Sequence, residues 1–192
     1  MKDTDEMFVV SIMSKDRVGI VYEVSKAMSE LSGNISDIRQ SVLCGYFTMI
    51  LLVSFPNEVK KRDIERKLAE IDAQSETPID TVVKEADKES VMVRSSYPDN
   101  TYVLTATGED KIGFVATVSS FCVDNHINIL DLSTTESNGE YIMILMMDLS
   151  KSGPVKQVRS ALKQFADKSG IKMVLQHNHI FKAINEIRLP IG

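Results

Sequence analysis

The amino-acid sequence predicts an α+β protein of two similar domains, each with a four-stranded antiparallel sheet and two helices on one face. A shift of 94 positions lays residues 8–55 on residues 102–149 without a gap. Each half alternates strand-like and helix-like patterns in the same order, and a set of polar residues and glycines recurs at matched spacing. Because a fixed-period repeat marks a duplicated structural unit, the 192 residues form two copies of one unit of roughly 90 residues.

In the first repeat, hydrophobic periodicity and turn residues determine the order of the elements. Alternating or β-branched residues indicate strands, apolar residues every three or four positions indicate helices, and Gly, Pro and Asn mark turns. The predicted elements are a strand at 8–13, a helix at 18–31, strands at 35–43 and 46–55 around Cys44-Gly45, a helix opening at Pro56-Asn57, and a strand at 81–84. The order of the first repeat is therefore βαββαβ.

The second repeat shows the same order, with two clear turn signals. Asn138-Gly139 is typical of a two-residue hairpin turn, and Gly153-Pro154 is typical of a helix start. The predicted elements are a strand at 102–107, a helix at 112–124, strands at 127–135 and 140–149, a helix at 154–168, and a strand at 171–176. Two right-handed crossovers of this kind give the ferredoxin-like arrangement in each repeat.

The composition changes between the repeats and again after the second one. Residues 86–101 contain turn formers and charged residues, whereas Ile180, Phe181, Ile184 and Ile187 form a helical stripe near the end of the chain. We therefore expect a first domain at 1–86, a linker at 87–101, a second domain at 102–177 and a C-terminal helical tail at 178–192.

The third strand of each repeat is apolar on both faces. Residues 48–53 and 141–147 contain few polar side chains, whereas a sheet covered on one side alternates apolar and polar residues. We expect the tail, the other domain or another subunit to cover the second face, and hence a homodimer or higher oligomer. The alternative is that β-sheet propensity alone fills these strands.

Charge and composition exclude several classes of function. The net charge is −5 and Lys60-Lys61-Arg62 is the only basic cluster, which argues against direct binding of nucleic acid. No apolar run approaches the ~18 residues that cross a bilayer and no signal peptide is present, so we expect a cytoplasmic protein. Cys44 and Cys122 lie at non-equivalent positions and have no metal or redox spacing.

The candidate binding site lies where the first strand of each repeat meets the first helix. Residues 16–19 and 110–113 place a glycine in the opening turn of a helix. Free backbone N–H groups and the positive end of the helix dipole attract a carboxylate there, and the missing Cβ lets a ligand approach. Asn34 and Asn128 begin the second strand, which we expect to neighbour this loop, and their amides can bind a carboxylate and an ammonium group.

A purely structural interpretation of the same residues stays open. Asp16 and Asp110 are favourable helix N-caps. Gly33-Asn34 suits a helix C-terminal turn, and Asp37 and Asp131 suit solvent-facing positions in a strand. This interpretation explains each residue singly, but it does not explain why Asp, Gly, Asn and Asp recur together at matched spacing.

The two signatures resemble those of ACT domains, which are small-molecule regulatory modules commonly attached to enzymes of amino-acid metabolism. Asp-Arg-Val-Gly-Ile with Asn-Ile-Ser-Asp, at 16–20 and 34–37, is similar to the Asp-Arg-Pro-Gly-Leu and Asn-Ile motifs of that family. Asp-Lys-Ile-Gly-Phe with Asn-Ile-Leu-Asp, at 110–114 and 128–131, is similar in the same way. A tandem pair without an enzyme resembles the glycine cleavage system transcriptional repressor group, and residues 176–187 resemble the end of small stand-alone ACT proteins.

The resemblance implies that an amino acid binds at an interface between two ACT domains. Val18 and Ile112 stand where the family often has Pro, which relaxes the loop without forbidding its shape. The residues implied in ligand binding are Asp16, Arg17, Val18, Gly19, Asn34 and Ile35 in the first repeat, and Asp110, Lys111, Ile112, Gly113, Asn128 and Ile129 in the second.

Catalysis finds no support in the sequence. No nucleophile and base have a recognisable spacing, no phosphate-binding glycine loop occurs, and His177-x-His179 is typical of surface histidines. The Arg/Lys-Gly-Phe pattern of RNA-binding βαββαβ modules is absent. The resemblance therefore implies a non-catalytic regulatory protein, with no cofactor or metal, that modulates a partner such as a transcription factor of glycine and one-carbon metabolism. The alternative is a detached regulatory subunit of an amino-acid biosynthetic enzyme.

Overall fold

The computed structural model of the chain describes residues 6–86, 98–109, 112–137 and 139–181. The chain divides into two compact units, residues 1–95 and 96–192. Each unit contains the predicted βαββαβ order once.

The first domain is built from six elements in one four-stranded sheet with two helices. They are β1 (Glu6–Lys15), α1 (Ile20–Glu30), β2 (Asn34–Leu43), β3 (Tyr46–Phe55), α2 (Lys61–Gln74) and β4 (Ile79–Glu85). The sheet order is β2-β3-β1-β4, and all paired neighbours are antiparallel.

The second domain repeats this topology. Its elements are β5 (Thr101–Glu109), α3 (Phe114–Asp124), β6 (Asn128–Ser137), β7 (Glu140–Asp148), α4 (Val155–Ser169) and β8 (Lys172–His177). The sheet order is β6-β7-β5-β8. The predicted tail is helical at 178–181, while residues 182–192, with Ile184 and Ile187, lie outside the described residues, as do Asn138 and most of the predicted linker.

The core of each domain lies between the sheet and its two helices. In the first domain, Val10 pairs with Leu51 on one side and Val83 on the other, so these three side chains share one face of the sheet. Val24 of α1 and Ile64 of α2 belong to the same buried cluster. An equivalent cluster fills the second domain. The predicted fold class, two ferredoxin-like domains with both helices on one face of each sheet, is therefore confirmed.

The first helix of each domain begins two residues later than its apolar periodicity predicts. Gly19 and Gly113 precede the helices with φ of 95° and 87°. A left-handed residue cannot belong to a right-handed helix, so the helix begins at the next residue, Ile20 or Phe114.

Helix α2 also begins later than expected, at Lys61 rather than at Pro56-Asn57. The Val59 N–H donates to the Pro56 carbonyl at 2.9 Å, which forms a separate turn before the helix. The Lys60 N–H then donates to the Asp63 carboxylate at 3.0 Å. A carboxylate in the first turn also complements the helix dipole, and it marks the start of α2.

The repeated aspartates of the second strands have a local structural role. The β2–β3 register shifts between Ile35 and Asp37, so Ser36 is an extra, bulged residue. The Asp37 carboxylate accepts a hydrogen bond from the N–H of Ile38 at 2.8 Å. In β6 the shift falls between Ile129 and Asp131, and the Asp131 carboxylate accepts from the Leu132 N–H at 2.9 Å. The motif Asn-Ile-x-Asp therefore encodes a β-bulge in both domains.

The faces of the sheets turned away from the helices also carry apolar side chains. Ser11 pairs with Ile50 on one side and Val82 on the other, so all three lie on the outer face of the first sheet. Ile50 and Val82 are about half exposed, and so is Val174 on the outer face of the second sheet. The third strands thus place apolar side chains on both faces, as their sequence pattern predicts.

Gly33 follows α1 where the chain touches the core, and we expect it to tolerate no side chain. A Cβ at this position would collide with the Phe55 ring and lie 2.8 Å from the Met28 carbonyl oxygen. We expect Gly33→Ala to lower the free energy of unfolding by about 2 kcal/mol, as overpacking does. Urea unfolding followed by circular dichroism measures this loss.

The matched control is Gly153→Ala, where the added Cβ would meet only the flexible end of Gln157. This substitution should change the free energy of unfolding by less than about 0.5 kcal/mol. Equal losses for the two variants would show that the contact with Phe55 does not constrain the first domain.

Candidate functional site

The loop between β1 and α1 ends in a glycine that the backbone requires. Gly19 and Gly113 lie in the left-handed region, where glycine has no steric penalty. A Cβ added to Gly113 would meet no atom within 4 Å, and one added to Gly19 would meet only the Glu23 carboxylate, at 3.5 Å. The space above the start of each helix is therefore open.

Neither helix is capped by a side chain, which corrects one interpretation of the sequence. Gly19 and Gly113 are the N-cap residues of α1 and α3, and neither has a side-chain cap. Asp16 is exposed and lies three residues before the cap, so it is not the N-cap of α1. Asp110 and Lys111 lie outside the described residues, but the cap position of α3 belongs to Gly113.

The first N–H groups of a helix have no partner within the helix. In α1 the earliest intrahelical bond to the cap runs from the Glu23 N–H to the Gly19 carbonyl at 2.9 Å. The equivalent bond in α3 runs from the Thr117 N–H to the Gly113 carbonyl at 2.8 Å. Uncapped N–H groups beneath open space give both helix starts the donors and the positive potential that an anion requires.

A cleft of about 600 Å³ joins this loop to the edge strand β2. Gln40 and Val42 pair with the buried residues Met49 and Phe47, so they lie on the helix-facing side of the sheet. The cleft is lined by Asp16, Arg17, Gly19, Ile20, Val21, Tyr22, Ser25, Gln40, Val42 and Phe47. The candidate site thus includes strand residues that the sequence signature does not contain.

The expectation that Asn34 neighbours the loop of its own domain is wrong. Asn34 pairs with Ser54, which pairs with Met7 near the start of β1, whereas the loop follows Lys15 at the other end. Eight or nine strand residues span about 30 Å. Asn34 lies that far from the loop because α1 returns the chain to the start of the sheet before β2 begins.

Asn128 shows the same separation in the second domain. It pairs with Asp148, which pairs with Thr101 at the start of β5, while the loop follows Glu109 at the end of that strand. The side chains of Asn34 and Asn128 are both exposed. Either asparagine can therefore meet such a loop only if the loop belongs to another domain.

The remaining predicted residues divide into exposed and buried ones. Val18 and Ile112 are fully exposed, with relative accessibilities of 101% and 106%. Ile35 and Ile129 are partly buried and pack against the hydrophobic cores of their domains. The isoleucine of the Asn-Ile motif therefore belongs to the fold, whereas the residue before the glycine is presented to solvent.

Arg17 forms a bidentate ion pair with Glu23 rather than pointing freely into the cleft. Its Nη1 donates to Glu23 Oε1 at 2.8 Å, and its Nη2 donates to Glu23 Oε2 at 2.6 Å. Nη2 also donates to the Ser75 Oγ at 3.2 Å. The hydrogen bond from Arg17 lowers the pKa of Glu23, and the bond to Glu23 raises the pKa of Arg17. Arg17 thus connects the loop to α1 and to the end of α2.

Sequence patterns did not reveal Glu23, Ser75 or Gln40. Arg17 and Glu23 are six residues apart across a turn, and this is not a helical spacing, while Ser75 lies 58 residues away. The strand alternation of β2 was the available signal for Gln40, since it puts Ile38, Gln40 and Val42 on one face.

A second cleft, of about 720 Å³, lies between α1 and α2 and is dominated by paired charges. Lys67 lies 2.7 Å from Glu30 and 3.2 Å from Glu70, and Lys26 lies 3.9 Å from Glu30. Because these charges neutralise one another, a ligand would have to displace existing ion pairs. The first cleft, between β2 and the start of α1, is therefore the better candidate for a ligand-binding site.

His177 uses both ring nitrogens within the protein. The backbone N–H of His179 donates to His177 Nδ1 at 3.2 Å, which leaves Nε2 to donate to the Asp99 carbonyl at 3.2 Å. The ring also contacts Tyr102 edge to face. These contacts connect the C-terminal end of β8 to the start of β5 and to the residues that follow β8. Within the described parts of the chain, His, Cys, Asp and Glu side chains form no group of three that could hold a metal ion.

The fold and the two open helix starts define a tandem of small βαββαβ modules. The sequence model of the ACT domain matches residues 6–82 and 100–176. The chain belongs to the ACT domain family.

Proteins of the UPF0237 group are similar to this chain in sequence. A UPF0237 protein of Clostridium perfringens is 33% identical over 86 residues, which are 44% of this chain and 97% of that protein. A UPF0237 protein of Methanococcus maripaludis is 35% identical over 86 residues, covering 44% of this chain and 96% of that protein. These relatives have about the length of one of the two domains.

Among solved structures, an unknown protein from Galdieria sulphuraria is similar, with a TM-score of 0.69 and 26% identity over 90% of this chain and 98% of that chain. A putative glycine cleavage system transcriptional repressor has a TM-score of 0.66 and 19% identity, covering 90% of this chain and 96% of that chain. At 19% identity, the similarity to the repressor is one of fold alone.

The Arg17–Glu23 pair should make a pH-dependent contribution to stability. Because the pKa of Glu23 in the folded protein lies below its usual 4.5, the ionised carboxylate stabilises the fold above that pH. The contribution is lost as the pH falls through the lowered folded-state pKa. We expect Glu23→Gln to reduce the free energy of unfolding at pH 7 by about 0.5–1 kcal/mol, and the difference to disappear in stronger acid.

Denaturant unfolding of both proteins between pH 7 and pH 3 measures this difference. Glu58→Gln is the control, since Glu58 is an exposed glutamate in the turn before α2. A deficit of Glu23→Gln that stays constant down to pH 3 would contradict the ion pair as its cause.

Proposed function

We propose that this chain is a non-catalytic regulatory protein that binds an amino acid where two ACT domains meet. Ligand binding modulates a protein partner, such as a transcription factor of glycine and one-carbon metabolism. The observation that carries this proposal is the duplicated, open and uncapped helix start at Gly19 and Gly113.

The chemistry of this helix start suits the carboxylate of an amino acid. Backbone N–H groups at a helix N-terminus bind anions, and here the position above the cap is open at Gly113 and is approached only by the Glu23 carboxylate, which Arg17 pairs, at Gly19. Asp16, exposed at the rim of the cleft, suits the ammonium group of the same ligand. An asparagine from a second domain adds an amide that can bind either group. The combination favours a zwitterion over a simple anion.

Exposed apolar residues around the loop support a site completed by a second domain. Val21 and Val115 are 37% and 38% exposed at the same position of the repeat, and Ile38 and Leu132 are 41% and 39% exposed at another. Together with the exposed residues before each glycine, they put exposed apolar side chains at matched positions of both domains. Exposed apolar residues that recur at matched positions favour an interaction surface. Such a site forms in a dimer or higher oligomer as readily as within one chain.

Action on transcription would pass through a protein partner. The net charge of −5, with Lys60-Lys61-Arg62 as the only basic cluster in the sequence, opposes direct binding to duplex DNA. No helix within residues 6–86, 98–109, 112–137 and 139–181 is both long and apolar enough to span a bilayer.

The glycine at each helix start should be replaceable by asparagine without loss of the fold but with loss of binding. Asparagine tolerates the left-handed conformation, whereas valine there would be strained, so Gly113→Val would damage the helix start as well as the site. We expect wild-type protein to gain thermal stability with one member of a panel of the common amino acids. The double variant Gly19→Asn/Gly113→Asn should lose that gain and keep its melting temperature within a few degrees.

Gly170→Asn provides the matched control for this test. Gly170 is also left-handed, with φ of 71° and open space around its Cβ position, but it ends α4 and offers no free helix N–H groups. A ligand response that survives in the double variant Gly19→Asn/Gly113→Asn would place binding elsewhere in the protein.

Asn128→Ala tests the contribution of the asparagine. This substitution should weaken binding of the ligand found in the panel by about 1–3 kcal/mol.

Affinity capture of the tagged chain from its native cells distinguishes the two regulatory roles. We expect a transcription factor to copurify, and to do so in an amount that changes with the amino acid found in the thermal panel. Copurification of an amino-acid biosynthetic enzyme instead would favour a detached regulatory subunit.

A further inference from the structure

The loop of the first domain is held by a side chain that reaches both helices. Arg17 lies in the loop, Glu23 lies in the first turn of α1, and Ser75 is the C-cap residue of α2. The two Arg17–Glu23 bonds have distances of 2.8 and 2.6 Å, and the bond to Ser75 is 3.2 Å. One guanidinium group therefore ties the residue before Val18-Gly19 to the body of the domain.

The geometry of this tie favours a fixed loop. A planar guanidinium in bidentate contact with a carboxylate fixes orientation as well as distance. Glu23 is negative near the N-terminus of α1, and Arg17 is positive near the C-terminus of α2, so both charges complement the helix dipoles. The Nε of Arg17 is buried and finds no hydrogen-bond partner within the described residues. The contacts of Arg17 with Glu23 and Ser75 form although this buried donor has no partner there.

The second domain has no carboxylate at the position of Glu23. A shift of 94 residues places Thr117 there. The C-cap residue of α4, which corresponds to Ser75 at the end of α2, is Gly170, and it has no side chain that could bind the loop. A threonine hydroxyl is uncharged and has one oxygen, so it cannot form a bidentate ion pair with the residue at position 111. The two candidate sites of one chain therefore have a glycine at the same position but different side chains in the first turn of the helix.

We propose that Arg17 is a positioning residue, which with Glu23 preforms the first-domain loop, and that the two sites of one chain consequently bind the same amino acid with unequal affinity. The unequal affinity rests on the proposed function, because it concerns the ligand, whereas the conformation of the loop does not. A preformed loop loses less conformational entropy on binding, so the site that uses the first-domain loop is the tighter one.

Hydrogen exchange of the intact protein tests the positioning role without any ligand. Glu23→Thr installs the residue of the second domain, and Glu30→Thr is the control, because Glu30 lies on the same helix and pairs with Lys67 rather than with the loop. We expect the amides of residues 17–23 to exchange about fivefold faster in Glu23→Thr, as the loss of a partly buried bidentate pair allows. Glu30→Thr should leave these amides unchanged.

The amides of the strand β1 separate positioning from general stability. In Glu23→Thr the β1 amides should exchange faster only by the global loss of stability that denaturant unfolding measures, and the rise at 17–23 should not depend on low denaturant concentrations, because it reflects local opening. Unchanged exchange at 17–23 in Glu23→Thr would overturn the proposal, and so would a rise there that depends on denaturant as the exchange of β1 does. Arg17→Lys should give an intermediate rate, since an ammonium group keeps the charge but loses the bidentate contact.

Calorimetric titration with glycine, the simplest zwitterion of this class, tests the unequal affinity. We expect two classes of site in the wild type and a loss of about fivefold in the tighter class in Glu23→Thr, with the weaker class unchanged. Two equal sites would overturn the inequality. No heat with glycine or with any member of the amino-acid panel would contradict the proposed function, and the exchange experiment would still decide the role of Arg17.

Discussion

The left-handed glycine between the first strand and the first helix is the constraint on which the fold and the candidate site both depend. It turns the chain out of the extended conformation and makes the helix begin at the following residue, Ile20 or Phe114. Because the residue in this conformation is glycine, no Cβ covers the helix start. The same backbone requirement therefore produces the strand-to-helix connection and an uncapped helix N-terminus, which is the kind of position that attracts an anion.

The duplicated polar residues owe their repetition to several separate causes. The glycines satisfy a backbone angle, while Asp37 and Asp131 satisfy the free N–H next to a β-bulge. The asparagines have neither role and are exposed at the far end of the sheet from the loop. Repetition in sequence thus does not bring residues together in one domain. On the proposed function, the asparagines recur because they contact another domain.

The element order was predictable from the sequence because hydrophobic periodicity and turn residues are local signals. The hairpin at Cys44-Gly45 is an example, since both residues have positive φ and join β2 to β3 as predicted. The position of Asn34 was not predictable in the same way, because it depends on which end of the sheet the chain occupies after α1. The Arg17–Glu23–Ser75 contacts depend on the antiparallel approach of α1 and α2 and have no regular spacing in the sequence.

Regulation follows from this arrangement by thermodynamic linkage. On the proposed function, a ligand that touches the loop of one domain and the asparagine of another binds only when the two domains adopt one relative arrangement. A ligand shifts an equilibrium by as much as its affinities for the two states differ, so such a ligand favours the joined arrangement over all others. A partner that recognises either arrangement is then coupled to the ligand by the same free energy. On this proposal the chain acts as a sensor, because the distance between its repeated motifs within one domain makes ligand binding depend on the association of two domains.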